Sequence, residues 1–239
     1  MEQNIVIGIE GMVASGKTSI CKELTNLIKN SVFIDGGSIY RGIVMAIYKS
    51  GIDFSQLLNS ASNTEIDALE LMKKLQVDFK IENKETVIYI AGKKIDEQEI
   101  QSMQNAIGVS SMASKANNSS LYSFAKDIID KYRKQYNIIV SARCLVAIYP
   151  EMTSHVFITA SLEERVKRRY NQYNGKISFE EIERTILERD KIHEKAGYNE
   201  KCDRSINVDV TECKNANESA KKVVEKLMNN NYINKDIVN

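Results

Sequence analysis

The amino-acid sequence predicts an α/β fold in which helices flank a parallel sheet. The first observation is alternation: polar or helical sequence follows each of five short apolar runs, at 5–9, 32–34, 138–140, 155–158 and 206–208. The second is size, because 239 residues with 43% apolar content suffice for one buried core and an insertion or two. We therefore expect a single domain over residues 1–239.

The first apolar run leads into a glycine-rich segment. Residues 11–18 read GMVASGKT, which fits the pattern G-x-x-x-x-G-K-[ST], and 17–29 is predicted to be a helix. Gly11 and Gly16 permit a turn whose backbone N–H groups point at a polyphosphate, and the helix N-terminus adds positive potential. Lys17 would then reach the β- and γ-phosphates of ATP, and the Thr18 hydroxyl would ligate Mg²⁺. The segment predicts a P-loop NTPase-type sheet.

Two arginines follow the second and third predicted strands. Arg41 stands one helical turn beyond Gly37, and Arg143 comes shortly after the run at 138–140. Ligands bind at the carboxyl ends of strands in an open α/β sheet, so we expect the two guanidiniums to clamp a phosphate. For either arginine alone, a surface salt bridge is the competing interpretation.

A different pattern lies between the second and third strands of this series. A helical stretch at 65–75 precedes two runs of alternating polarity, at 77–81 and 86–91, which the turn-forming Asn83 joins. This pattern predicts a small insertion that carries a β-hairpin.

Two helices after the fourth strand are marked by capping boxes. In each, a serine is followed three residues later by a glutamate: Ser161 with Glu164, and Ser178 with Glu181. Ile177 and Ile182 are placed for a hydrophobic staple on the second helix. The polar segment 171–176 lies between the helices and contains Gly175, so we predict a hinged helical flap.

The flap carries a set of arginines. Arg165, Arg168 and Arg169 share one helical face, and Arg184 with Arg189 follow on the next helix. A solvated basic face is the alternative interpretation. Beside a P-loop, however, positioned cations stabilise the charge on a migrating phosphoryl group, and a flap excludes water from it. A phosphate-ester acceptor is already deprotonated at neutral pH, so such a site needs no general base.

Composition limits the partners. With 33 basic and 32 acidic residues the net charge is +1, so no global field attracts nucleic acid or an anionic membrane. The four cysteines and two histidines show no metal-binding spacing, and no apolar run approaches the length of a membrane span. We expect a cytoplasmic monomer that binds a small nucleotide and neither nucleic acid nor membrane.

The motifs form one ordered set along the chain. Its members are the P-loop, the segment 90–100 with Gly92, and Asp35, Gly37, Ile39, Tyr40, Arg41, Ser110, Arg143, Pro150, Ser161, Glu163, Glu164, Arg165, Arg168, Arg169, Glu188, Arg189, Asp190, Asp203 and Asp209. In order and spacing this set resembles the bacterial cytidylate (CMP/dCMP) kinase family, from the first strand to about Met228. The resemblance implies a nucleoside monophosphate kinase that uses ATP and Mg²⁺ to convert CMP or dCMP into CDP or dCDP plus ADP. It also implies an acceptor-binding insertion over 61–110 and an arginine-bearing lid over 162–195.

The resemblance and the motifs together give each site residue an expected role. We expect catalytic roles for Lys17, Arg143, Arg165 and Arg189. We expect ATP to contact Gly11, Ala14, Ser15, Gly16, Lys17, Thr18, Ser19 and Arg169, with Thr18 also on the metal. We expect the acceptor to contact Asp35, Gly37, Tyr40, Arg41, Ser110, Arg143, Arg189 and His193.

The chain departs from the family pattern on the acceptor side. Gly36 replaces a serine near the base, and Ser141 and Cys144 replace the two carboxylates that flank Arg143. The family's cytosine-reading arginine is missing near 117–119, His193 stands in place of its ribose-binding aspartate, and Ala196, next to Lys195, in place of a phosphate-binding arginine. Hydrogen bonds to charged groups contribute about 1.5 to 3 kcal/mol each, so losing three would weaken cytidine binding roughly 10³-fold or more without replacements. The base pocket has therefore diverged.

Two alternatives stay open at this point. A kinase of the same fold could act on another nucleotide or a small metabolite, with His193 either as a base for a hydroxyl or without a catalytic role. A regulatory protein that binds ATP without turnover is the other, and Ser141 with Cys144 would permit it.

Overall fold

A computed structural model describes residues 4–51, 53, 68–100, 105, 109, 119–196, 198 and 200–239. The chain separates into two compact units, of which unit 1 comprises Met1–Phe33 and Gln135–Asn239, and unit 2 comprises Ile34–Lys134. The single domain over 1–239, the insertion over 61–110 and the lid over 162–195 stay predictions.

Helices and strands alternate along the described chain. In chain order they are β1 (Val6–Gly11), α1 (Lys17–Leu27), β2 (Ser31–Asp35), α2 (Gly36–Lys49), α3 (Ala68–Lys74), β3 (Val77–Glu82), β4 (Glu85–Ile90), β5 (Lys93–Lys94), α4 (Glu97–Ile100), α5 (Ser119–Arg133), β6 (Asn137–Ser141), α6 (Leu145–Ile148), β7 (Ser154–Thr159), α7 (Leu162–Gln172), α8 (Phe179–Lys195), β8 (Ser205–Asp209), α9 (Ala216–Asn229) and a 3₁₀ turn (Lys235–Ile237).

Unit 1 is built on a parallel sheet. Its strand order is β6-β1-β7-β8, with β2, which begins in unit 1, beyond β6. The pairs β1–β6, β1–β7 and β7–β8 are all parallel, and Ile7 of β1 is in register with Ile139 and Ser154. Four of the five predicted apolar runs fall wholly within these strands, and the one at 5–9 begins one residue before β1. This confirms the predicted parallel sheet flanked by helices.

The core of unit 1 explains why β1 and β6 are mostly apolar. β1 and β6 are buried along their whole length, as expected for strands of a parallel sheet that helices cover on both faces. Ile7 and Ile9 pack with Leu24 of α1 and with Val223 and Leu227 of α9 in one buried cluster. The faces of β1 and β6 are thus covered, and their carboxyl ends stay available to a ligand.

The helix pair α7 and α8 begins at the predicted caps. Ser161 Oγ accepts a hydrogen bond from Glu164 N, and Ser178 Oγ accepts one from Glu181 N, each at 3.2 Å. Ile177 packs against the cluster that contains Ile182, as the staple predicts. The rings of Tyr170 and Phe179 stack at 4.1 Å across the intervening turn. The two helices therefore form one antiparallel hairpin with its own small core.

Unit 2 contains the predicted β-hairpin. β3 and β4 pair antiparallel, and the two turn residues Asn83 and Lys84 have φ of 49° and 66°, as a tight hairpin turn requires. The Phe79 ring packs edge-on against Phe124 at 5.7 Å, and Tyr132 Oη donates to Phe79 O at 2.6 Å. The helix predicted at 65–75 is present as α3 from Ala68, and 65–67 lie outside the described residues.

The length and apolarity of the described helices decide whether any of them could span a bilayer. None of them is both long enough and apolar enough to cross a membrane.

Candidate active site

The glycine-rich loop leaves the carboxyl end of β1 and runs into α1. Gly11 has φ of 150°, and a Cβ built on it would lie 2.2 Å from Ile158 O of β7. Gly16 has φ of 90°, in the left-handed region that favours glycine. Only glycine fits at Gly11, because the loop there presses directly on the backbone of the neighbouring strand.

Two further loop residues show features typical of a ligand site. Ala14 has φ of 60°, a conformation that costs a non-glycine residue about 1 kcal/mol or more. The Ser15 side chain is fully buried, and its Oγ has no hydrogen-bond partner among the residues that the structure describes. Backbone strain and an unsatisfied buried hydroxyl are both costs that a bound anion and its waters can offset.

Lys17 is the first residue of α1, and its side chain lies against the glycine-rich loop. Its Nζ donates hydrogen bonds to Gly11 O and Met12 O, both at 2.9 Å. Burial, reinforced by the charges of Arg143 and Arg189, lowers the pKa of Lys17 to about 8. An ammonium has three donors, so one remains for a phosphate. An anion placed here would relieve the repulsion among these cations.

Arg143 follows β6 and points to the same region. Burial and then the charge of Arg189 lower the pKa of Arg143, while it stays protonated at neutral pH. Its Cζ lies 5.5 Å from the centre of the Tyr198 ring, a cation–π contact. Both arginines line the cleft that the glycine-rich loop opens into. Three cations are therefore gathered at one end of the cleft.

His193 is the titratable group beside these cations. It is 9% exposed, and its ring lies 5.7 Å from the Tyr198 ring. Burial, followed by the charges of Arg143, Arg189 and Lys17, lowers the pKa of His193 to about 4. The imidazole is thus neutral at pH 7, where it can exchange hydrogen bonds with a hydroxyl but is a weak base.

Arg165 holds the loop from the side of α7. It is 3% exposed, and its Nη1 lies 2.5 Å from Asp190 Oδ2 of α8. Val13 of the loop fits between these two side chains, because its N–H donates to Asp190 Oδ1 at 3.2 Å and its carbonyl accepts from Arg165 Nη1 at 3.2 Å. The Val13 side chain packs with Val166 and residues of α8. We call this arrangement of Arg165, Asp190 and Val13 the loop clamp.

The clamp bears on the expected catalytic role of Arg165. A guanidinium that is nearly fully buried and bonded to Asp190, Val13 O and Ala160 O is arranged to position the loop. The catalytic role stays a prediction, and the geometry favours an action through the loop.

Arg168 ties the loop to the end of β8. Its Nη1 donates to Ser15 O at 3.0 Å, its Nη2 to Val210 O at 2.7 Å, and its Nε to Glu164 Oε1 at 2.9 Å. Arg169 makes only exposed contacts among those the structure describes: its Nη1 donates to Gln172 Oε1 at 2.8 Å, and its Cζ lies 5.8 Å from the centre of the Tyr173 ring. Arg169 therefore has the greater freedom to meet a ligand.

A cleft of about 1020 Å³ runs from the loop across α7 to the end of β8. That volume is at the upper end of the range for small-molecule sites, about 300 to 1000 Å³. Most of the charged side chains that line it are basic: Lys17, Arg143, Lys167, Arg168, Arg169, Arg189 and Lys214, with Glu164 and Glu212. The lining matches a polyanionic ligand.

The sequence analysis missed the segment 211–216, which lines the cleft after β8. Thr211 N and Oγ1 both donate to Asp209 Oδ1, and Asn215 caps α9 through Glu218 N. The fifth apolar run predicted a strand there, and its carboxyl end is a position where ligands bind. The predicted strand at 206–208 was therefore sufficient to indicate that the residues after it border a ligand site.

The expected acceptor residues outside unit 1 lie around the start of α2. Asp35 caps this helix, with Oδ1 accepting from Gly37 N at 3.0 Å and from Ser38 N at 3.3 Å. A Cβ on Gly37 would lie 3.3 Å from Arg41 Nη1, so the guanidinium rests on the bare backbone. Tyr40 is in the same helix. Ser110 lies outside the described residues, and the acceptor roles stay predictions.

Known proteins resemble this chain over most of its length. The family described as cytidylate kinase matches residues 7–233. A cytidylate kinase of Thermosipho africanus is 31% identical over 189 residues, which cover 77% of each chain. One of Clostridioides difficile is 26% identical over 230 residues, covering 94% of this chain and 98% of that protein. One of Bacillus licheniformis is 25% identical over 224 residues, covering 88% and 91%.

Proposed function

The chain belongs to the cytidylate kinase family, and on that basis we propose that it transfers the γ-phosphoryl group of ATP to CMP or dCMP. The products are ADP and CDP or dCDP. One observation carries the proposal: Lys17, Arg143 and Arg189 meet at a P-loop where the buried Ser15 hydroxyl has no hydrogen-bond partner in the described part of the chain.

The residues present suit ATP as the donor. Backbone N–H groups of the loop at 14–18 would bind the β- and γ-phosphates, with Ser15 and Ser19 beside them and Arg169 over the donor nucleotide. Thr18 would hold Mg²⁺, which supplies charge neutralisation across the β- and γ-phosphates when bound.

The three cations would stabilise the negative charge on the migrating phosphoryl group. Lys17 would follow the β- and γ-phosphates, while Arg143 and Arg189 would hold the group in transfer and the acceptor phosphate in line. Burial desolvates Lys17 and Arg143, so their charges act strongly on the phosphates, and Arg189 adds a third positive charge beside them. No side chain needs to remove a proton, because the acceptor phosphate is already ionised at neutral pH.

The lid would exclude water from this step. The clamp fixes the base of α7 and α8 to the loop through Val13. The turn between the helices carries Gly175 with φ of 71° and lies at the opposite end of the hairpin from the clamp. We therefore place closure in the tip of the hairpin rather than in its base.

The acceptor would bind through Arg41, Arg143 and Arg189 on its phosphate. Asp35, Gly37, Tyr40 and Ser110 are proposed around its base and sugar. His193, neutral and mostly buried, is suited to a ribose hydroxyl. A neutral partner replaces a carboxylate at this position, so we expect a weaker grip on the sugar than the family pattern provides.

The direct test is ADP release with Mg-ATP and, in turn, CMP, dCMP, UMP, AMP, GMP or no acceptor. A rate that depends on CMP or dCMP supports the proposal. A rate that depends only on another nucleotide assigns the activity to that acceptor instead. Tight ATP binding with no turnover in any reaction overturns the nucleotide-kinase assignment, and a metabolite screen then separates a different kinase from a regulatory protein.

A second candidate function rests on Ser141 and Cys144. Neither side chain carries the negative charge that the family places next to the arginine between them. A kinase of the same fold that phosphorylates a different nucleotide or a small metabolite is compatible with that loss. The nucleophilic group of its acceptor would have to be ionised already, because the low pKa of His193 makes the imidazole a poor base.

A further inference from the structure

Glu10 is a buried carboxylate directly before the P-loop. It is the next-to-last residue of β1, and it is 3% exposed. Its Oε1 accepts a hydrogen bond from the backbone N–H of Leu145, at the start of α6. The residue therefore joins the strand that carries the P-loop to the loop after β6.

The start of α6 depends on this contact. Cys144, at the N-cap position, has φ of 58° and ψ of 34°, and its side chain makes no capping hydrogen bond. A left-handed cysteine costs about 1 kcal/mol or more and persists only when its surroundings hold it. The Glu10 carboxylate, which lies in β1, accepts a hydrogen bond from a backbone N–H at the start of α6, where the Cys144 side chain accepts none. Arg143 immediately precedes the strained residue.

The same carboxylate acts on the cations of the site. Its negative charge attracts both Arg143 and Lys17. Arg143, in turn, has no ionised carboxylate at either of its flanking positions, Ser141 and Cys144. Glu10 is thus placed to hold the Arg143 turn by a hydrogen bond and by charge.

We propose that Glu10 is a positioning residue for phosphoryl transfer, whose ionised carboxylate holds the turn that carries Arg143 against the P-loop. The proposal rests on the proposed function, since it concerns the same transfer step. Glu10 is not among the residues that line the cleft, so it would act through Leu145 N–H and the charge on Arg143.

The charge of Glu10 changes near neutral pH. Burial raises the pKa of Glu10 to about 7, opposed by the Leu145 hydrogen bond and by Arg143 and Lys17, and assisted by Glu200. On the β7 side, His155 Nε2 lies 3.9 Å from Glu10 Oε2. His155 is neutral at this pH, because burial and then Lys201 lower its pKa to about 4. The ionised form therefore prevails only above neutral pH, and activity should rise with it.

The test compares Glu10→Gln with the wild type between pH 5.5 and 9. Glutamine keeps an acceptor for Leu145 N–H and removes the charge. We expect kcat of Glu10→Gln to be about tenfold lower at pH 8, as for a lost charged contact, with the KM for ATP little changed. Below pH 6 the two rates should converge, because Glu10 is then protonated in the wild type as well. Any alkaline limb from Lys17 should be common to both proteins.

Glu225→Gln is the matched control, because Glu225 is exposed on α9 and lies outside the site. It should reproduce the wild-type rate and pH profile. If Glu10→Gln also keeps the wild-type rate and profile, the proposal is wrong. The proposal is equally wrong if Glu10→Gln is slower by one constant factor at every pH, since that indicates general damage to the fold.

A second measurement needs no substrate. Replacing a buried ionised carboxylate by a neutral amide should make Glu10→Gln more stable to urea than the wild type at pH 8 and equal to it near pH 5. A stability difference that does not change with pH overturns the inference even in an inactive protein. Failure of the proposed function is distinct, because it appears as no ADP release by the wild type with any nucleotide.

Discussion

Lys17 is the residue on which donor binding depends most directly. It is held by two loop carbonyls and lies beside Arg143 and Arg189, which help lower its pKa to about 8. Lys17→Ala should lower kcat/KM for ATP by about 100-fold or more, because a preorganised cation at the β- and γ-phosphates is lost. Steady-state kinetics of ADP release measures this.

Lys221→Ala is the control for that variant, because Lys221 is an exposed lysine of α9. It should leave kcat/KM unchanged. Wild-type kcat/KM in Lys17→Ala would show that the phosphate site lies elsewhere.

His193 offers a test of the acceptor site at the same scale. It lies among cations, and its neutral ring replaces a family carboxylate. His193→Asp would place a negative acceptor for a ribose hydroxyl there, supported by Arg143 and Arg189. We expect the KM for CMP to fall about tenfold while the KM for ATP stays the same.

His193→Asn serves as the comparison, since it keeps hydrogen bonding without adding charge. It should not lower the KM for CMP. A higher KM in both variants would mean that the histidine itself reads the acceptor, and the proposed reason for weak sugar binding would then be discarded.

At the scale of elements, the loop clamp makes the P-loop and the base of α7 and α8 one structural piece. Arg165→Met leaves Asp190 without its ion-pair partner, and we expect a loss of about 2 to 3 kcal/mol in unfolding free energy. The loss should be smaller than the roughly 3 to 5 kcal/mol of a fully buried pair, because the Asp190 side chain is 22% exposed. Urea unfolding measures the stability, and kcat should fall as the loop loses its position.

Asp130→Asn, in the exposed pair with Lys126, is the matched control for a broken ion pair. Exposed pairs contribute at most about 1 kcal/mol, so this change should be nearly neutral. If Arg165→Met proves as mild as the control and keeps full activity, the clamp does not hold the loop.

Elements also differ in how well the sequence predicts them. The caps at Ser161 and Ser178 and the turn at Asn83 depend on residues a few positions apart, and all three were predicted. The bond between Val13 and Asp190 joins residues 177 positions apart. Nothing in the local pattern around either residue indicates such a pairing.

At the scale of the whole molecule, buried histidines set the stability in acid. The pKa of His155 and that of His193 are both lowered from 6.5 to about 4, first by burial. Between these pH values the unfolded chain binds more protons, so stability is fully present above pH 6.5 and is lost as pH falls toward 4. Glu10 acts in the opposite direction, because its pKa is raised from 4.5 to about 7.

Two histidines outweigh one carboxylate, so we expect the unfolding free energy to fall by about 2 kcal/mol between pH 7 and pH 4.5. Urea unfolding at several pH values measures it. His193→Asn should reduce this slope relative to the wild type. A wild-type stability that is flat across the range would show that the two histidines are not buried in neutral form.

The sequence by itself determined the strands, the P-loop, the helix caps and the family, because each is encoded by apolar periodicity or by residues close together in the chain. The folded chain alone decided that Arg165 grips Val13, that the segment 211–216 lines the cleft, and that Glu10 caps α6. The physical reason is that burial and charge proximity depend on contacts between distant residues. The pKa values of Lys17, Glu10 and His193 likewise exist only once the sheet has brought these groups together.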